Sequence, residues 1–264
     1  CPNIKEIRIA EGNYLPSWSP SYMDEYFTRF YEEPIWRSNY FDPENIRFSV
    51  RKGLKLFGGY QAGAGTRNSN LYKTILNGAI IENNLHSRST VVILYHAGIS
   101  DSTLIDGVTI KGGRSTRVDG DSYFWMNEDA FTYNGGGLYS RNINDITIRN
   151  CEFFDNQATV SGNALSIFGN NIKLINNYIY DNNQPNISDI DVQEGLYHHP
   201  NSVIYINGEN IIIERNNLNQ NQCNSHGFAL KFTANNIEIR NNVIEDNVGG
   251  GIMCFSYLPY LSES

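Results

Sequence analysis

Four twelve-residue blocks in the second half of the chain can be laid on one another without a gap: DITIRNCEFFDN from Asp145, NIKLINNYIYDN from Asn171, NIIIERNNLNQN from Asn210 and NIEIRNNVIEDN from Asn236. Their second place is Ile146, Ile172, Ile211 and Ile237; the fourth is Ile148, Leu174, Ile213 and Ile239; the ninth is Phe153, Ile179, Leu218 and Ile244. The twelfth is asparagine each time, at Asn156, Asn182, Asn221 and Asn247. The starts lie 26, 39 and 26 residues apart, too short for independent domains and suited to one turn of a stacked solenoid. Apolar second and fourth places alternate with period two, as in a short strand with one face inward. A further apolar run precedes the later blocks, at 164–168, 203–206 and 228–232, with a partial copy at 252–255. One turn therefore reads strand, turn, strand, corner.

Asparagine forms neither helix nor strand well, yet the 264 residues hold 36 of them, many in pairs within these blocks. Stacking explains this. Turns about 4.8 Å apart set identical carboxamides above one another, where they can bond to each other and to the corner backbone. Asparagine also tolerates the left-handed angles that corners require. The seventh place, Cys151, Asn177, Asn216 and Asn242, is expected to form an inward stack with Cys151 as its small apolar end. The first half follows the plan more loosely, in LKLFGG from Leu54, KTILNGAI from Lys73, TVVILYHAG from Thr90 and TLIDGVTIKGG from Thr103, with Gly59, Gly78, Gly107 and Gly113 at the corners. The expected fold is all-β: one right-handed parallel β-helix domain, a solenoid over 1–264 with long loop insertions at about 16–45, 114–134 and 183–200. A GGGI motif at 249–252 would start another turn, which leaves open that the chain is a piece of a longer protein.

The formal charge of −8 and pI near 5.1 argue against broad attraction to nucleic acid or an anionic membrane. No run of 18 apolar residues occurs, so no membrane span is expected in this chain, and no basic segment followed by an apolar one opens it. The four cysteines, Cys1, Cys151, Cys223 and Cys254, lack the spacing of a zinc or redox site and read as free thiols.

Loops projecting from a rigid solenoid are where binding sites arise. The first insertion is dense in rings, including Trp18, Tyr22, Trp36 and Tyr40, which would stack on sugars, seal a protein contact or pack down as a lid. The second combines Trp125 with Asp119, Asp121, Glu128 and Asp129. No cofactor is required by the sequence, but these acids would suit calcium, although their spacing is not that of an EF-hand. In the third, Asp189, Asp191, Glu194, His198 and His199 bring acids and imidazoles together; a general acid/base pair would sit here, against the plainer reading of a solvated loop.

The motifs GGGLYS at 135–140 and Phe153-Phe154-Asp155-Asn156 resemble the GGAI and FxxN signatures of polymorphic outer-membrane protein repeats. IRIAEGNYLP from Ile7, FSVRKGLKLFGGYQAGAGTR from Phe48, TILNGAI and LIDGVTIKGG look like the opening turns of large β-helix proteins that Gram-negative bacteria export, often by the type IX route. The resemblance implies architecture and a secreted or bacterial cell-surface location more firmly than chemistry. Three functions follow as expectations: a noncatalytic adhesin or contact module for glycans or other cell-envelope proteins, a polysaccharide lyase or glycoside hydrolase, and a structural segment or cargo of a larger exported assembly. A polygalacturonase-type hydrolase needs paired acids, usually in NTD, DD, GHG and RIK motifs, of which only the fragment Ser225-His226-Gly227 occurs. A lyase needs a cation and a base; Arg149, Lys231 and Arg240 are expected to point outward and would be its basic groups. The noncatalytic reading is preferred.

Overall fold

The structure is a computed structural model that describes residues 4–16, 48–51, 53–79, 91–95, 102–115, 134–183, 201–223 and 227–255. Its strands form seven successive turns among these residues, and every pairing between the strands of neighbouring turns is parallel. One long sheet runs through Glu6–Ala10, Lys55–Tyr60, Thr103–Asp106, Leu138–Arg149, Leu165–Ile175, Ser202–Glu214, Phe228–Arg240 and Gly250–Phe255, with Phe48–Arg51 and Val92–Tyr95 joining its first half. A short sheet runs through Gly12–Tyr14, Thr74–Asn77, Thr109–Lys111, Glu152–Phe154, Tyr178–Tyr180, Asn217–Asn219 and Val243–Glu245. The apolar run before each later block fuses with the strand that opens it into one long strand, bent where the two meet. Gly169 and Gly208 sit in that bend because a Cβ there would overlap the carbonyl oxygens of Ile143 and Gly169 on the preceding turn.

The register follows the block alignment. Ile146 lies beside Ile172, Ile211 and then Ile237; Ile148 beside Leu174, Ile213 and Ile239; Phe153 beside Ile179, Leu218 and Ile244. These columns fill the interior, where Ile148, Phe153, Leu174, Ile179, Ile213 and Leu218 are wholly buried. Each such side chain contributes about 1.5–3 kcal/mol by leaving water.

The asparagine pairs divide their work. The first, sixth and eleventh places of each block take left-handed angles: Asp145, Asn150 and Asp155, then Asn171, Asn176 and Asp181, then Asn210, Arg215 and Gln220, then Asn236, Asn241 and Asp246, all with φ between 49° and 58°. The seventh and twelfth places, directly after a left-handed residue, point inward. Asn177 Nδ2 donates to Asn216 Oδ1 at 2.9 Å and Asn216 Nδ2 to Asn242 Oδ1 at 3.0 Å, while the backbone N–H of Cys151 donates to Asn177 Oδ1 at 3.0 Å and ends the row. In the second row Asn156, Asn182, Asn221 and Asn247 are joined at 3.0, 3.0 and 2.8 Å. Each oxygen also accepts the backbone N–H of the preceding turn's asparagine, and each Nδ2 reaches back to a carbonyl of that turn, as in Asn216 to Leu174 O at 2.9 Å. The corner N–H groups, which would otherwise be buried without a partner, are thereby satisfied.

Of the glycines expected at corners in the first half, Gly59 and Gly107 have positive φ, whereas Gly78 and Gly113 do not; Gly112 takes the left-handed angle instead. Gly78 and Gly113 are needed for room, since a Cβ on Gly113 would overlap Gly136 O and one on Gly78 would lie 2.7 Å from Val91 Cγ2. Residues 61–73 make an excursion from the second turn that Arg67 fastens down. Its Nη2 pairs with the fully buried carboxylate of Asp106 at 2.8 Å, and its Nε donates to Gly58 O at 2.9 Å. Arg149 Nη2 and Asn150 Nδ2 complete the clamp on Asp106, each at 2.9 Å. Burial pushes the Asp106 carboxyl up, but hydrogen bonds from Asn150, Arg67 and Arg149 outweigh it and hold the group below its usual range.

Candidate functional site: the insertion-bearing edge

Trp18, Tyr22, Trp36, Tyr40 and Trp125, the acids Asp119, Asp121, Glu128 and Asp129, and the group Asp189, Asp191, Glu194, His198 and His199 all lie outside the described residues, as do Ser225 and His226. Their attachment points are described. Residues 17–47 leave after Gly12–Tyr14 and return at Phe48–Arg51; 116–133 leave after Arg114–Ser115 and return just before Leu138–Arg149; 184–200 leave after Tyr178–Tyr180 and return at Ser202–Glu214. Two leave from a short-sheet strand and the third from Arg114–Ser115, just past the short-sheet strand Thr109–Lys111, and all three return to a long-sheet strand, so they spring from the same edge of the solenoid. Along that edge Arg114–Ser115 pairs with Gln157–Ala158, and single bridges link Asn134 to Ser161 and Asn183 to Gln222 to Val248. Parallel pairings thus join successive turns along this edge, the seam, from the third turn to the seventh.

Outward rings flank this seam on both sides. On the short sheet the residues beside the buried ninth place point away from the interior, giving two neighbouring columns: Thr109, which its neighbours bury, Glu152, Tyr178 and Asn217, and Lys111, Phe154, Tyr180 and Asn219. Phe154 and Tyr180 stack at 5.1 Å and 14°, and Tyr180 and Tyr178 at 4.4 Å and 28°. Lys111 Nζ lies 5.3 Å from the centroid of Phe154, a favourable cation–π placement. Glu152 is closed off by Lys73 at 2.5 Å and Thr109 Oγ1 at 3.2 Å. Desolvation, with smaller contributions from Glu152, Tyr178 and Asp181, pushes the Tyr180 phenol to about 12, so it remains a hydrogen-bond donor at neutral pH.

On the long sheet, Tyr139 and Phe168 lie 5.9 Å apart, Phe168 meets Tyr205 edge-on at 5.4 Å, and Lys231 Nζ sits 5.2 Å over the Tyr205 ring. Tyr139 is buried, which raises its phenol pKa, and burial lowers the pKa of Lys231. At the bend, away from the seam, a groove of about 510 Å³ runs along the axis past Asp145, Thr147, Lys173 and Glu238. Its wall is an exposed amide ladder in which Asn171 donates to Asp145 at 2.8 Å, Asn210 to Asn171 at 3.0 Å and Asn236 to Asn210 at 3.1 Å.

The structure does not bring the three basic residues into one site. Arg149 is held by Asp106, and Arg240, three turns along the same column, pairs with Glu214 at 3.0 Å and with Glu238. Among the described residues no three His, Cys, Asp or Glu gather into a group that would hold a metal ion. The outward aromatic columns carry a signal in the sequence, since alternation about the ninth place puts the eighth and tenth outside, where Phe154, Tyr178 and Tyr180 stand.

A family model described as a right-handed beta helix region matches residues 100–258. No curated protein and no solved structure matches the chain.

Proposed function

The chain belongs to the right-handed β-helix family, and from its surface we propose that it is a noncatalytic contact module, secreted or on a bacterial cell surface, that engages glycans or other cell-envelope proteins through its insertion-bearing edge. The observation that carries this reading is the pairing of that edge with outward aromatic columns on both adjoining faces. Rings bury large area at low entropic cost and are enriched where proteins make contacts. The rigid stack fixes the roots of the insertions, which adapt the contact to its partner. The ion pairs that occupy Arg149 and Arg240 favour this reading over a lyase, which needs a cation free to neutralise substrate.

The test is a glycan array together with cross-linking to envelope proteins, run on the full chain and on a variant in which residues 184–200 are replaced by a short Gly-Ser turn. Binding by the full chain that weakens in the variant is expected. Uronate product released from an acidic polysaccharide by the full chain would overturn the noncatalytic reading.

A further inference from the structure

The last described turn leaves both inward rows open. Along these rows each backbone N–H is accepted by the carboxamide oxygen of the following turn: Asn177 by Asn216 at 2.9 Å, Asn216 by Asn242 at 2.8 Å, Asn182 by Asn221 and Asn221 by Asn247 at 3.0 Å. For the N–H groups of Asn242 and Asn247, the last of each row, no following oxygen exists among the described residues. The inward apolar columns end bare as well. Ile239 is 37% exposed and Ile252 48%, whereas Ile213 and Leu230, one turn back in the same columns, are wholly buried. Among the described residues Val243–Glu245 and Gly250–Phe255 each pair on one side only. Open strand edges beside bare apolar columns are a template for adding a strand.

We propose that this face docks a β-helix turn of another polypeptide, one that carries asparagine at two inward places five residues apart. The open N–H groups set that spacing, because Asn242 and Asn247 hold the seventh and twelfth places of their block. The first turn of a second copy does not meet it. Register puts Gly12, beside Thr74, at the seventh place, and glycine offers no side-chain acceptor. Two copies meeting through this face bring donors from both sides, since the Oδ1 atoms of Asn242 and Asn247 are already engaged by the turn behind. Residues 256–264 contain no asparagine. Counted on from the Thr233–Phe255 pair, they set Pro259, which has no N–H for a ladder, against Ile237, and Ser264 against Asn242. The acceptors therefore come from a different chain.

The experiment titrates the full chain with a synthetic peptide copying residues 228–247, FALKFTANNIEIRNNVIEDN, as a probe of that chemistry. Beside it run the same peptide with Asn242→Leu and Asn247→Leu, and the chain variant Ile252→Lys, whose folding circular dichroism verifies. Saturable binding of the parent peptide is expected, tenfold or more weaker for the leucine peptide and for Ile252→Lys. The backbone N–H groups of Asn242 and Asn247 should exchange more slowly once the peptide is bound. Equal binding of both peptides overturns the proposal, as does no binding at all. Sedimentation of the chain alone decides against or for a second copy: self-association that Ile252→Lys abolishes overturns the assignment to another polypeptide, and a monomer supports it. This face looks along the axis and the seam runs beside it, so failure here leaves the contact reading standing.

Discussion

Asparagine in this chain does two separate jobs at adjacent positions, one as a backbone conformer and one as a hydrogen-bonding side chain. The turn around 210–221 separates them, because its left-handed places hold Arg215 and Gln220 instead of Asn or Asp. Longer side chains pay a steric penalty there that asparagine offsets with local bonds. Gln220→Asn is therefore expected to stabilise the fold by about 0.5–1 kcal/mol, measured as a higher urea midpoint; an unchanged or lower midpoint would contradict the assignment. The second job carries more energy. Asn216→Ala removes the acceptor for two Asn177 N–H groups and donors to Leu174 O, Glu214 O and Asn242 Oδ1. A loss of about 2–4 kcal/mol is expected, since it leaves buried groups unpaired. Asn236→Ala, on the exposed ladder but at a left-handed place, should cost only the loss of asparagine's left-handed preference, about 1 kcal/mol. Equal effects in the same denaturation experiment would contradict the division between inward and outward asparagines.

At the scale of elements, the excursion at 61–73 is tied to the stack through Asp106, and that tie depends on pH. The folded-state pKa of Asp106 is depressed, so its contribution is present above the unfolded carboxylate value and lost as pH falls through the folded one. Asp106→Asn should cost about 2 kcal/mol at pH 7, where Arg67 and Arg149 lose a buried partner but keep access to water. The gap between variant and parent should narrow at pH 3; a gap that widens there, read from denaturation at both pH values, would contradict the clamp. This element also marks the limit of what the sequence made legible. The strand columns were readable because Ile, Leu and Phe recur at fixed places, and the inward stack because asparagine recurs beside them. Arg67 pairs across 39 residues with an acid inside an ordinary strand, and no local pattern announces such a partner. The aromatic columns left only a faint signal. Phe154 and Tyr178–Tyr180 occupy the outward places in two of the four blocks, while Asn217, Asn219, Val243 and Glu245 fill them in the others.

For the whole molecule, stacking converts a one-dimensional repeat into a surface with fixed directions: interior columns, two inward amide rows, a bend, and one seam from which the three insertions spring. Local contacts between neighbouring turns dominate, and stability in such an array is the sum of nearest-neighbour terms. The placement of both aromatic faces beside the seam follows from register, so every functional inference depends on the inward rows being in line. Hydrogen exchange of the asparagine carboxamides, followed by NMR on uniformly ¹⁵N-labelled protein, tests this most directly. The Nδ2 protons of Asn177, Asn182, Asn216 and Asn221 are expected to exchange orders of magnitude more slowly than those of Asn171, Asn210 and Asn236. Equally fast exchange in both sets would mean that the inward ladders do not exist, and the register with them.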